Sequence, residues 1–129
     1  MRRLWILLPL ILTACASLPP GKAEVYLYRR AVPLGQSRLT GITVYDGNTR
    51  VGTLQDGSYL HYYADPGPRA FRATAVSRDT IPYATTLKAG QTCYLLVYSL
   101  GGQAGGDIAI TPVDQATAQA QLASLMPAD

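Results

Sequence analysis

Turn signals set the strongest limit on what this chain can fold into. Asp46-Gly47-Asn48, Asp56-Gly57, Asp65-Pro66-Gly67-Pro68 and Ala89-Gly90-Gln91 interrupt it repeatedly. Breaks at intervals of about 8–12 residues suit short strands and leave no room for long helices. Asp-Gly between alternating apolar residues is a hairpin signal, because Gly accepts the positive φ that tight turns need. In Asp65-Pro66-Gly67-Pro68 the first proline suits the second turn position and the glycine the third. The runs in between are rich in residues that fit a pleated surface: Glu24–Tyr28, Ile42–Tyr45, Arg50–Leu54, Ser58–Tyr63, Ile81–Leu87 and Asp107–Ile110. Phe71, Ala73 and Ala75 alternate with Arg72, Thr74 and Val76, the pattern of a half-exposed strand. Thr92–Leu100 is apolar on both alternating faces, which predicts a central strand covered on each side.

The predicted fold class is therefore all-β: a mainly antiparallel β-sandwich over residues 23–129, with one C-terminal α-helix at about residues 112–125. The helix is expected to open at Thr111-Pro112-Val113-Asp114, with Thr as N-cap and Pro in the first turn. Val113, Ala116, Ala120 and Ala123 fall on one side, predicting a helix that lies on the domain through small residues. A chain of 129 residues fits one such domain around one core.

Ahead of this domain, Arg2 and Arg3 precede an apolar run from Leu4 to Leu12, then the small residues Thr13 and Ala14. That order of basic, apolar and small residues predicts a secretory signal over residues 1–14. The run is short of the roughly 20 apolar residues that a transmembrane helix needs. Leu12-Thr13-Ala14-Cys15 resembles the lipobox of bacterial lipoproteins. The resemblance implies cleavage between Ala14 and Cys15, a thioether-linked diacylglyceryl group on the Cys15 sulfur, and palmitate-type acylation of the new amino terminus. Two or three buried acyl chains make a stable anchor where one does not. Residues 15–22, the lipidated cysteine and a Pro/Gly-containing tether, would space the domain from the membrane. Ala16 rather than Asp after the cysteine favours, in a Gram-negative cell, the outer membrane facing the periplasm.

Charge supports this reading and argues against nucleic acid. Arg2 and Arg3 are two of eleven basic residues, so loss of the leader leaves nine against eight acidic ones. A nearly neutral domain lacks the electrostatic footprint of a phosphate-backbone binder. Lipidation of Cys15 also leaves Cys93 without an intramolecular disulfide partner, and its apolar strand predicts a buried, inert thiol.

A family resemblance extends over residues 22–113. Tyr26-Leu27-Tyr28-Arg29, Val44-Tyr45-Asp46-Gly47, Val51-Gly52-Thr53-Leu54, Gly57-Ser58-Tyr59, Pro66-Gly67 and Leu87-Lys88-Ala89-Gly90-Gln91-Thr92-Cys93-Tyr94-Leu95 follow in that order. The arrangement is similar to the small lipoprotein family catalogued as domain of unknown function 2846, and more loosely to PEGA-type domains. It implies a PEGA-like (prealbumin-like) sandwich on a lipid anchor and no particular activity. Pro68-Arg69 departs from the family pattern, where a residue and then His are expected.

Catalytic signatures are weak. His61 is the lone histidine, too few for a zinc site, and no Gly-x-Ser-x-Gly elbow presents a nucleophile. A triad would have to draw on His61 with Asp56 or Asp65 and a serine. Gly101–Gly106 has no following Lys and reads as a connection, not a phosphate loop. The aspartates sit at turns, where their side chains bond nearby amides. No metal or cofactor is expected.

Nine tyrosines are the distinctive feature. Tyr59, Tyr62 and Tyr63 precede the Pro-Gly turn, while Arg69 and Arg72 follow it. If the two strands pair as a hairpin across that turn, the five residues form a Tyr/Arg recognition patch of the kind enriched at interfaces. Tyr62→Ala with Tyr63→Ala is then expected to leave the fold largely intact. The leading functional expectation is a non-enzymatic, lipid-anchored envelope domain with a binding or structural accessory role and an envelope protein as partner. A glycan- or peptidoglycan-binding module is the alternative, and an envelope hydrolase the third.

Overall fold

The alternating apolar residues segregate into two facing sheets. A computed structural model describes residues 18–31, 41–75, 78–79, 82–99 and 108–128. The leader with Ala14 and Cys15, residues 33–37 and the glycine run 101–106 lie outside the described residues. The strands are β1 Ala23–Arg29, β2 Ile42–Asp46, β3 Thr49–Leu54, β4 Ser58–Ala64, β5 Gly67–Ala75, β6 Arg78–Asp79, β7 Tyr83–Leu87, β8 Thr92–Ser99 and β9 Ile108–Pro112. Helix α1, Gln115–Leu122, and the short β10, Met126–Pro127, complete the described chain. The fold is thus mostly β with a single C-terminal helix among the described residues, and that helix is too short to cross a membrane.

One sheet has the order β10-β4-β1-β8-β9, the other β3-β2-β5-β6 with β7 also on β5. In the first sheet β1 is antiparallel to β4 and parallel to β8, so β1, not β8, is the middle strand. β8 is nevertheless covered on both faces. Leu95 and Val97 enter the core between the sheets, whereas Tyr94 and Leu96 meet α1. The inter-sheet core is built from Val25 and Leu27 of β1, Ile42 and Val44 of β2, Phe71 and Ala73 of β5, and their neighbours, nearly all fully buried. β2 and β3 form the hairpin expected at Asp46-Gly47-Asn48, with Gly47 at φ 62°. Gly57, Gly67 and Gly90 also take positive φ at their turns.

Two details differ from the sequence-based expectation. The helix is capped by Asp114, whose carboxylate accepts from Thr117 N at 3.0 Å, and not by Thr111. β9 instead continues through Thr111 and Pro112, paired with Leu96 and Leu95. Proline is tolerated at the end of an edge strand because no ladder donor is needed there. The buried side of α1 is carried by Ala118 with Leu122, while Ala116, Ala120 and Ala123 face solvent. Ala118 lets the helix approach Tyr28 and Tyr94 closely, and the Tyr28 hydroxyl donates to Gln121 Oε1 at 2.5 Å.

Candidate functional site

A strand's period of two places Tyr59, His61 and Tyr63 on one face of β4 and Tyr62 on the other. β4 and β5 do not pair with each other. The turn at Asp65–Pro68 carries the chain from one sheet to the other, so the hairpin that would have united the Tyr/Arg patch is absent. Its five residues fall into three places.

Tyr62 points toward the core. Its hydroxyl donates to Asp46 Oδ2 at 3.0 Å, and Arg69 donates to the same oxygen at 3.0 Å and to the Asp65 carbonyl at 2.7 Å. Burial, reinforced by the Asp46 charge, pushes the Tyr62 phenol well above its ordinary range. Thr49, Arg50 and Val51 of β3 with Tyr63 and Ala64 of β4 flank this network in a cleft of about 420 Å³. Lys22 pairs with Asp65 at its rim. The polar groups on the floor are already engaged with one another, so this cleft reads as an inter-sheet clip. Tyr62→Ala would remove one arm of this clip. Arg72 lies on the outer face of the second sheet, its guanidinium 4.3 Å from the Tyr45 ring centre. Cation–π contact with a cross-strand neighbour explains it locally.

Tyr59 and Tyr63 remain, and they border a different surface that sequence reasoning missed. On the outer face of the first sheet, the ladder register sets Tyr26 beside His61 on one side and Tyr94 on the other. Tyr26 and Tyr94 stack with centres 5.2 Å apart and planes 10° from parallel. His61 lies 4.4 Å from Tyr26 and meets Tyr63 edge-on at 5.1 Å. Tyr59, 6.4 Å from Tyr26 and tilted by 46°, stands at the end of the row. Leu122, Ala123 and Leu125 supply the opposite wall, closing a groove of about 420 Å³ between sheet and helix. Gln119 projects into it and donates to the Tyr94 hydroxyl at 3.4 Å.

Glu24 organises one end of this row. One carboxylate oxygen lies 2.6 Å from His61 Nε2, and the other accepts from Thr92 Oγ1 at 3.0 Å. The carboxylate therefore stands between hydroxyl and imidazole, and the threonine proton points at Glu24 rather than at the ring. That order orients His61; it does not activate Thr92 as a nucleophile, which would need the imidazole next to the hydroxyl. Asp65, a candidate triad member from sequence, pairs with Lys22 instead. Burial first, then the Glu24 charge, raises the Tyr26 phenol above its usual range. Among the described residues no group of three His, Cys, Asp or Glu is placed to hold a metal ion. Cys93 is half-buried beneath the sheet, and desolvation raises its thiol pKa.

Two polar groups in the groove stand out. Among the described residues, nothing hydrogen-bonds the Tyr59 hydroxyl or the second ring nitrogen of His61. Both lie at a surface with apolar walls, as ligand-contacting groups do. No family model matches the chain, and no curated protein and no solved structure matches it.

Proposed function

We propose that this chain is a non-enzymatic binding domain of the bacterial envelope, held at a membrane by lipid on Cys15, with the groove between α1 and the first sheet as its contact surface. The observation that carries the reading is the groove itself: four aromatic residues and Gln119 against Leu122 and Leu125, with polar groups left open. The leader ending in Leu12-Thr13-Ala14-Cys15 supports the anchor, and the family resemblance of the turn motifs is in keeping with it. A hydrolase is disfavoured by the order Thr92–Glu24–His61.

The test has two parts in a Gram-negative host. Cys15→Ser should move the protein from the membrane to the soluble envelope fraction and abolish fatty-acid labelling. A photo-crosslinking residue at Tyr59 should yield envelope adducts that the same residue at Thr74, on the outer face of the second sheet, does not. A membrane-bound, acylated Cys15→Ser variant would sink the anchor. Adducts from Thr74 alone would move the contact surface elsewhere.

A further inference from the structure

We infer that the groove between α1 and the first sheet takes a neutral saccharide, an inference that rests on the binding reading above and names its ligand class. The first argument is charge. Tyr26, Tyr59, His61, Tyr94, Gln119 and Leu122 line the groove, and none of its lining residues is Lys, Arg, Asp or Glu. Glu24, just outside, has both oxygens committed to His61 and Thr92. A phosphate, a carboxylate-bearing ligand or a basic peptide would lose its hydration and gain no opposite charge.

The second argument is the pairing of surface types. A sugar ring presents C–H groups on its faces and hydroxyls around its rim, so its site needs apolar or aromatic walls interleaved with neutral donors and acceptors. The rings of Tyr26 and Tyr94 are stacked on each other, with the Tyr26 hydroxyl turned to Glu24 and the Tyr94 hydroxyl accepting from Gln119. Tyr59 is different: it lines the groove, its nearest ring neighbour is 6.4 Å away, and its hydroxyl is unclaimed among the described residues. Gln119 holds the Tyr94 hydroxyl through its amide nitrogen and keeps its carbonyl oxygen for a ligand hydroxyl. Leu122 and Leu125 cover the opposite side. The other cleft lacks this pattern, because Asp46, Tyr62 and Arg69 satisfy one another. At about 420 Å³ the groove is at the small end of ligand sites, suited to one or two sugar rings.

The experiment is an NMR titration of the isotope-labelled full chain in a phosphocholine detergent, which contains no sugar. Three probes are added separately: the β-1,4 dimer of N-acetylglucosamine, cellobiose and tetra-alanine. Saccharide addition should shift the amides of Tyr59, His61, Tyr94, Gln119 and Leu122. A preference for the N-acetylated dimer points to cell-wall glycan as the source, and equal response to a general glucan-type ligand; either supports the class. Tyr59→Ala should weaken binding about tenfold or more, and Gln119→Leu, on the exposed side of α1, about threefold, the loss expected for one neutral hydrogen bond. Unchanged affinity in folded Tyr59→Ala and Gln119→Leu, or shifts confined to residues outside the groove, would overturn the inference. Shifts with tetra-alanine and none with either saccharide would also overturn it, assigning the groove to peptide while leaving the binding-domain reading standing.

Discussion

Removing the Asp46 carboxylate should uncouple the two sheets at one end of the sandwich, and the size of the effect follows from what it holds. Asp46 side-chain exposure is 8%, and its Oδ2 receives both the Tyr62 hydroxyl from the first sheet and Arg69 from the second. A hydrogen bond to a charged partner contributes about 1.5–3 kcal/mol. Arg69 keeps the Asp65 carbonyl and is 25% exposed, so its loss is partly made good by solvent. Asp46→Ala should therefore cost about 2–4 kcal/mol, and Tyr62→Phe about 1–2 kcal/mol. In the Asp46→Ala background the Tyr62 hydroxyl has lost its acceptor, so removing it should cost almost nothing. The coupling energy of the cycle is then about 1–2 kcal/mol. Urea unfolding of the four variants measures it. With slopes of roughly 1–3 kcal/mol/M, the Asp46→Ala midpoint should fall by about 0.7–4 M. If Tyr62→Phe destabilises equally in both backgrounds, the hydroxyl is not held by Asp46 and the clip does not exist.

Two further predictions concern titrating groups. Asp114 is held below the usual carboxylate range first by the Thr117 amide, and Asp65 by Lys22. Their folded pKa values are depressed, so their contribution is complete above about pH 4 and fades as pH falls through the lower folded values. Urea midpoints should therefore drop on acidification below about pH 4, and less steeply in Asp65→Asn with Asp114→Asn; equal slopes would contradict the assignment. Cys93, half-buried with a raised thiol pKa, should alkylate slowly at pH 8 in the folded chain and quickly in denaturant. Equal rates, read by mass spectrometry, would show that burial does not protect it.

Much of this architecture was legible because turn chemistry is local. Gly47, Gly57, Gly67 and Gly90 sit at the predicted breaks, each with the positive φ that made glycine the signal. Sheet membership was not legible at Asp65–Pro68. Alternation tells which residues of β4 and β5 point to the core, and that answer is the same whether the strands share a sheet or face each other across one. The helix start was misplaced because Pro112 suits both a first helical turn and the end of an edge strand. In the candidate site, Tyr59, His61 and Tyr63 share a face by strict period two, a reading available from sequence. Their meeting with Tyr26 and Tyr94 depends on the registers of β1 against β4 and β8, which separations of about 30–70 residues along the chain do not reveal.

The position of β1 has a mechanical consequence. The chain enters the domain at Ala23, and β1 is bonded along its length to β4 on one side and to β8 on the other. Ladder bonds run across the strands, so a pull along β1 from its first residue loads both ladders in shear. Under such a pull the bonds of two ladders bear the load together, where an edge strand would have one ladder. Tension applied ahead of Ala23 is therefore carried by the β4 and β8 ladders together.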